Sequence, residues 1–197
     1  MTEFRKMSPV FEEGMAPPPK KRGRSVPVFV LVLAGFGLCI VLIAVGSAAL
    51  LPAISQARRE SGRQTCLNNQ SRLALANLLY AADHDDTLPL AGNWTIMTRP
   101  FLGRRQNFFL RCPDAERQGN GPFGIAYNSG LAGKTLSAID DRQSAPLIFD
   151  TDAHGRGPAA TPSTIPKPGR HIRGSVTGNN VAYADGNSRF VPDKNAR

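Results

Sequence analysis

The chain has 197 residues, a formal charge of +9 and 41% hydrophobic residues. Once a tail and one apolar run are set aside, roughly 140 residues remain, enough for a single small domain with a modest core. The positive excess is not one block: residues 1–25 hold +3 and the rest is spread along the chain. Such a spread permits attraction to nucleic acid or anionic lipid without selecting either, and a solvated basic surface is the plainer reading.

Residues 1–25 read as a disordered cytoplasmic tail, because Pro17–Pro19 and the basic cluster at 20–24 cannot pack a core. Residues 26–52 read as a transmembrane helix. No charged side chain occurs between Arg24 and Arg58, and residues 28–45 are apolar on every face. A bilayer core of about 30 Å takes roughly 20 such residues as a helix, the form that satisfies its own backbone in lipid. A cleaved signal peptide is the competitor. Its apolar region would be shorter, and here the helical pattern continues past the small residues at 47–49. Lys20, Lys21, Arg22 and Arg24 before the span favour a cytoplasmic N-terminus. The bulk of the chain, residues 53–197, is then extracytoplasmic and the protein single-pass in the inner membrane.

Pro52 bends the helix without ending it. Ala53, Ile54 and Ala57 carry an apolar stripe onward, and Leu67, Ala74, Leu78 and Ala81 resume it, supported by Leu75 and Leu79. Arg58, Arg59, Arg63 and Arg72 take the polar side. The helix stops near Ala82, where Asp83–Asp86 and Pro89 follow. Short strands are expected at 108–112, 124–127 and 145–149, and an exposed loop at 153–170. The clearest hairpin signal is the Asp185-Gly186 turn between strands at 180–184 and 187–191. A helix followed by strands implies an α+β fold, with a small antiparallel sheet packed on the long helix.

In the exported orientation Cys66 and Cys112 meet an oxidising compartment, while Cys39 lies in lipid. They are the candidate disulfide, fastening the helix to the first strand region, though sequence alone leaves the bond open. Two acidic groups suit a cation. Asp83, His84, Asp85 and Asp86 follow the helix, and Asp150, Asp152 and His154 would share one face of a strand. The plainer readings are solvated acids and a strand end entering a polar loop, so neither is assigned as a metal site. His171 is expected to make a structural hydrogen bond at the sheet edge. No nucleophile elbow, phosphate loop or zinc-protease motif occurs, so no catalytic residue and no cofactor is expected.

Taken in order, several motifs resemble the type IV pilin and type II secretion pseudopilin family, in particular the prepilin-like proteins with a C-terminal His…Asp-Gly signature. They are residues 50–61, Cys66 with its following helical segment to 76, residues 80–89, 110–113, Tyr127-Asn128 and 148–150. The signature itself is matched by His171, Asp185 and Gly186. The resemblance implies a pilin-like fold and membership of an envelope filament or secretion-type assembly, with other pilin-like subunits as partners; the apolar run makes the lipid bilayer a partner, and nucleic acid is not the expected one.

Aligned on Pro52, however, Val30 stands where that family has its cleavage-site glycine, and Gly35 where it has its early glutamate. The expectation is therefore a membrane-anchored envelope protein with a structural or assembly role, not processed by prepilin peptidase. A stand-alone tethered binding domain and a DNA-binding pilin-like subunit, with arginines on one sheet face, are the alternatives.

Overall fold

The computed structural model describes residues 27–193, so the reading of the tail lies outside the described residues. The described residues divide into two units, 27–47 and 48–193. In the first, helix α1 (Val28–Ala82) begins. Its apolar side chains from Val28 to Val45 are exposed, and the stretch is long and apolar enough to cross a membrane. Val30 and Gly35 lie on this part of the helix, and a Cβ at Gly35 would meet nothing within 4 Å.

In the second unit α1 continues to Ala82, with Pro52 inside it, and ends where the sequence predicts. Asp85 and Asp86 then take positive φ, 51° and 56°, a conformation short polar side chains tolerate. The buried face of this half differs from the expected stripe. Cys66, Asn69, Gln70, Leu73, Ala74, Asn77 and Ala81 are buried, whereas Leu75 and Leu79 are exposed. Arg63, expected on the polar side, is buried as well, its guanidinium paired with Glu60 and lying over the Phe190 ring.

A layer of short helices follows: α2 (Trp94–Met97), α3 (Arg99–Leu102), α4 (Gln106–Phe109) and α5 (Pro113–Arg117). The strand expected at 108–112 is thus a helix end and a turn. The reason is local satisfaction of the backbone. The Leu110 N–H donates to the Gln106 carbonyl, and Asn69 Nδ2 on α1 donates to the Arg111 carbonyl at 2.9 Å. Those groups are not left for a ladder. Trp94 anchors the layer by donating to the Gly157 carbonyl at 2.8 Å and stacking on Tyr127.

Among the described residues the sheet has six strands: β1 (Ile125–Asn128), β2 (Pro146–Asp150), β3 (Ala159–Ala160), β4 (His171–Arg173), β5 (Val176–Tyr183) and β6 (Ser188–Pro192). The order runs β3-β1-β2-β5-β4, with β6 also on β5. It is mixed rather than wholly antiparallel, because β3 lies parallel to β1. The segment expected as an exposed loop supplies β3, and its Ala160 and Arg170 are buried. Period-two alternation divides the strands between two apolar clusters. Ile125, Tyr127, Ile148 and Ala182 pack with Cys66, Leu73, Ala74 and Ala81 of α1. Ala126, Phe149, Val181 and Tyr183 fill the other face, where Ala153 and Ile165 pack against them.

The β5–β6 hairpin forms as expected, with a wider turn. Tyr183 N–H donates to the Asn187 carbonyl and Gly186 N–H to the Tyr183 carbonyl. Gly186 sits at φ 89°, where an L side chain is strained.

Candidate functional site

A row of buried charged groups lies between α1 and the sheet. His171 opens β4, Asp150 closes β2, and Asp114 stands in the first turn of α5. The His171 Nδ1 lies 2.6 Å from Asp114 Oδ2, and its Nε2 lies 3.0 Å from Asp150 Oδ2. Two carboxylates on the two ring nitrogens require both to donate, which is the imidazolium form. Burial opposes that charge. The Asp150 carboxylate outweighs it, with help from the hydrogen bonds to Asp114 and Asp150 and the Asp114 charge, and pushes His171 up to about 9. Asp114 is held below the ordinary carboxylate range. Burial would raise it, but the hydrogen bonds to His171 and Arg117 prevail.

The polar residues of α1 and β5 complete the row. Gln70 Nε2 donates to Asp150 Oδ1 at 2.8 Å, and the Asn180 backbone N–H donates to Asp150 Oδ2 at 2.7 Å. Asn180 Nδ2 reaches back to the Arg63 carbonyl of α1 at 3.0 Å. Arg170 lies 3.9 Å from Asp150 Oδ1 and donates to the carbonyls of Gly124 and Thr151 and to Asp152. At the other end Arg117 pairs with Asp114. Gly62 makes room for that pair, since a Cβ there would lie 2.5 Å from Asp114 Oδ1. Positive and negative groups therefore alternate, which is how buried charges are kept at tolerable cost. The row ties five elements together: α1, α5, β2, β4 and β5.

Beside it, Cys66 and Cys112 form a disulfide with a Cα separation of 5.0 Å, joining α1 to the residue before α5. Cys112 Sγ lies 4.0 Å from His171 Nε2.

The other sequence-predicted residues lie elsewhere. Asp185 and Gly186 sit in the β5–β6 turn, where Asp185 accepts from Asn187, and His171 makes its polar contacts with other residues. Asp150, Asp152 and His154 do not share a strand face: β2 ends at Asp150, Asp152 is largely exposed, and His154 follows in the loop. Asp83, Asp85 and Asp86 are exposed at the end of α1. Reasoning from sequence missed Asp114, Gln70 and Asn180. For Gln70 the available signal was a polar side chain at helical spacing with Cys66, on what proves to be the buried face; Asp114 and Asn180 lie outside α1.

A second feature lies on the short-helix layer. Residues 87–111 carry four arginines and no acid. Arg72, Arg99, Arg104, Arg105 and Arg156 form no ion pair among the described residues, unlike Arg111, which pairs with Glu116. Arg72 and Arg105 border an open groove of about 510 Å³ with Leu75, Leu79, Phe101 and Phe108. Arg72, Arg99, Arg104 and Arg105 lie on helical segments and Arg156 in the loop before β3, none of them on a sheet face. No family model, curated protein or solved structure matches this chain.

Proposed function

We propose that this chain is a membrane-anchored, pilin-like envelope protein with a structural or assembly role, retained with its basic tail uncleaved. One observation carries the reading. The same helix that supplies a membrane-length apolar stretch goes on to supply a wall of the exported domain's core, fastened there by a disulfide and a buried ionic row. Val30 and Gly35 stand where a prepilin peptidase needs glycine and a filament needs glutamate, so processing and subunit pairing are lost together. Intact mass of the membrane-extracted protein tests this. A chain beginning at Met1 or Thr2 is expected, and a mature N-terminus near Leu31, or sheared filaments containing this chain, overturns it.

The arginine-bordered groove favours a second reading, a tethered domain that binds an anionic extracytoplasmic partner. Arginine forks and exposed apolar side chains without acids suit a polyanion. A short DNA duplex serves as the probe. Affinity that falls steeply with salt supports the reading, and absent or salt-insensitive binding removes it.

A further inference from the structure

The atoms around the Cys66–Cys112 bond form a set of metal donors. Cys66 Sγ, Cys112 Sγ and a ring nitrogen of His171 lie within 4.8 Å of one another, all three residues buried. His171 Nε2 lies 4.0 Å from Cys112 Sγ and 3.0 Å from Asp150 Oδ2. Two sulfurs and one nitrogen thus converge from α1, the residue before α5 and β4, and the Asp150 carboxylate of β2 stands beside the nitrogen. A tetrahedral zinc ion, with Zn–S about 2.3 Å and Zn–N about 2.0 Å, spaces its donors roughly 3.2–3.8 Å apart. The two observed separations straddle that range.

The surroundings are those of a ligand set. Asp114 holds Nδ1 at 2.6 Å, which orients the ring and leaves Nε2 for the ion. Gln70 and the Asn180 N–H fix Asp150 in the same way. Thiolate and imidazole together select zinc over calcium or magnesium.

In the oxidised chain the sulfurs are bonded to each other and supply no thiolate. We infer that the two-electron-reduced chain binds one zinc ion through Cys66, Cys112, His171 and Asp150, so that disulfide and metal are alternative occupants of one site. A dithiol transfers two electrons and two protons to the disulfide and closes to its own disulfide. Both cysteine thiols and the His171 Nε2–H then release one proton each as their donor atoms bind the ion. Two thiolates and one carboxylate leave the site at −1, with the Arg170 guanidinium 3.9 Å from Asp150 Oδ1 to offset it. The metal keeps α1 joined to α5 when the disulfide is open. The inference is independent of the membrane and assembly reading above.

The test uses the full chain in detergent, reduced by a dithiol in denaturant, desalted without oxygen and refolded with Co²⁺ or Zn²⁺. One equivalent of cobalt is expected to give the visible absorption of a tetrahedral thiolate site, displaced by one equivalent of zinc, while the oxidised chain gives none. Zinc raises the melting temperature of the reduced chain. Cys112→Ser abolishes the absorption, and Asp114→Asn, which keeps both sulfur ligands, weakens zinc binding by about 10–100-fold. The inference is overturned by a reduced chain that gives no thiolate absorption, that binds cobalt equally after Cys112→Ser, or that refolds no better with zinc than without.

Discussion

At residues 83–86 three aspartates surround His84 in the sequence; in the fold, Asp114 and Asp150 flank His171 from 57 and 21 positions away. The first group stays in water. His84 stacks on Tyr80 and turns its Nδ1 to that residue's carbonyl at 2.8 Å, while the aspartates remain exposed. The second group is buried, and each charge in it touches one of opposite sign. Neighbours in sequence share their sign and are relieved by solvent. Groups brought together by folding can be arranged to alternate, and then their titration becomes part of stability.

That contrast can be broken at its strongest tie first. Replacing Cys66 and Cys112 by serine releases a separation of 46 residues and should cost about 4 kcal/mol in the chain-entropy account, read from denaturant unfolding. His171→Ala should cost about 3 kcal/mol, at the low end for breaking a buried ion pair, because Arg117 and Arg170 still hold the two stranded carboxylates.

The pH dependence separates the two groups further. A histidine raised from its ordinary 6.5 to about 9 contributes stability that is complete below pH 6.5 and is lost as pH rises through about 9. Unfolding at fixed denaturant should therefore become easier across that window, and His171→Gln should flatten the slope there. The smallest effect is expected at the helix exit. Replacing Asp83, Asp85 and Asp86 by asparagine should leave the unfolding midpoint unchanged, with or without calcium; a calcium-dependent midpoint in the parent chain would restore that stretch as a cation site.

Elements set by local chemistry were legible in the sequence. The acids and Pro89 end α1 at Ala82, Asp185-Gly186 turns the last hairpin, and β1 and β2 lie within a residue of the apolar runs that announce them. The short-helix layer was not legible, because the apolar run at 108–110 suits a strand equally well until Asn69, some 40 residues away, takes the Arg111 carbonyl. The buried face of α1 was read only in part, with Ala74, Leu78 and Ala81 on it as expected, for a related reason. Leucine marks a core only on average, and here Gln70 and Asn69 go inside because the sheet and the short-helix layer offer partners, while Leu75 and Leu79 line a surface groove. Of the ionic row, His171 stood out by its motif. Asp150 drew notice only as a cation candidate with Asp152 and His154, and nothing local says that it and Asp114 will meet His171.

β5 pairs with β2, β4 and β6, yet it is next to last in the chain. Synthesis runs from the N-terminus, so β2 and β4 are complete before the strand that joins them exists. Until residues 176–183 emerge, β2 keeps an open edge and Asp150 lacks its Asn180 donor. The cysteines, by contrast, are both available long before. The covalent fastening can thus precede the sheet it serves, leaving a looped precursor whose last segment arrives as a wedge. A chain stopped after Arg173 would retain its apolar helix and both cysteines while having no strand to close β2 and β4, and should be degraded rather than accumulate.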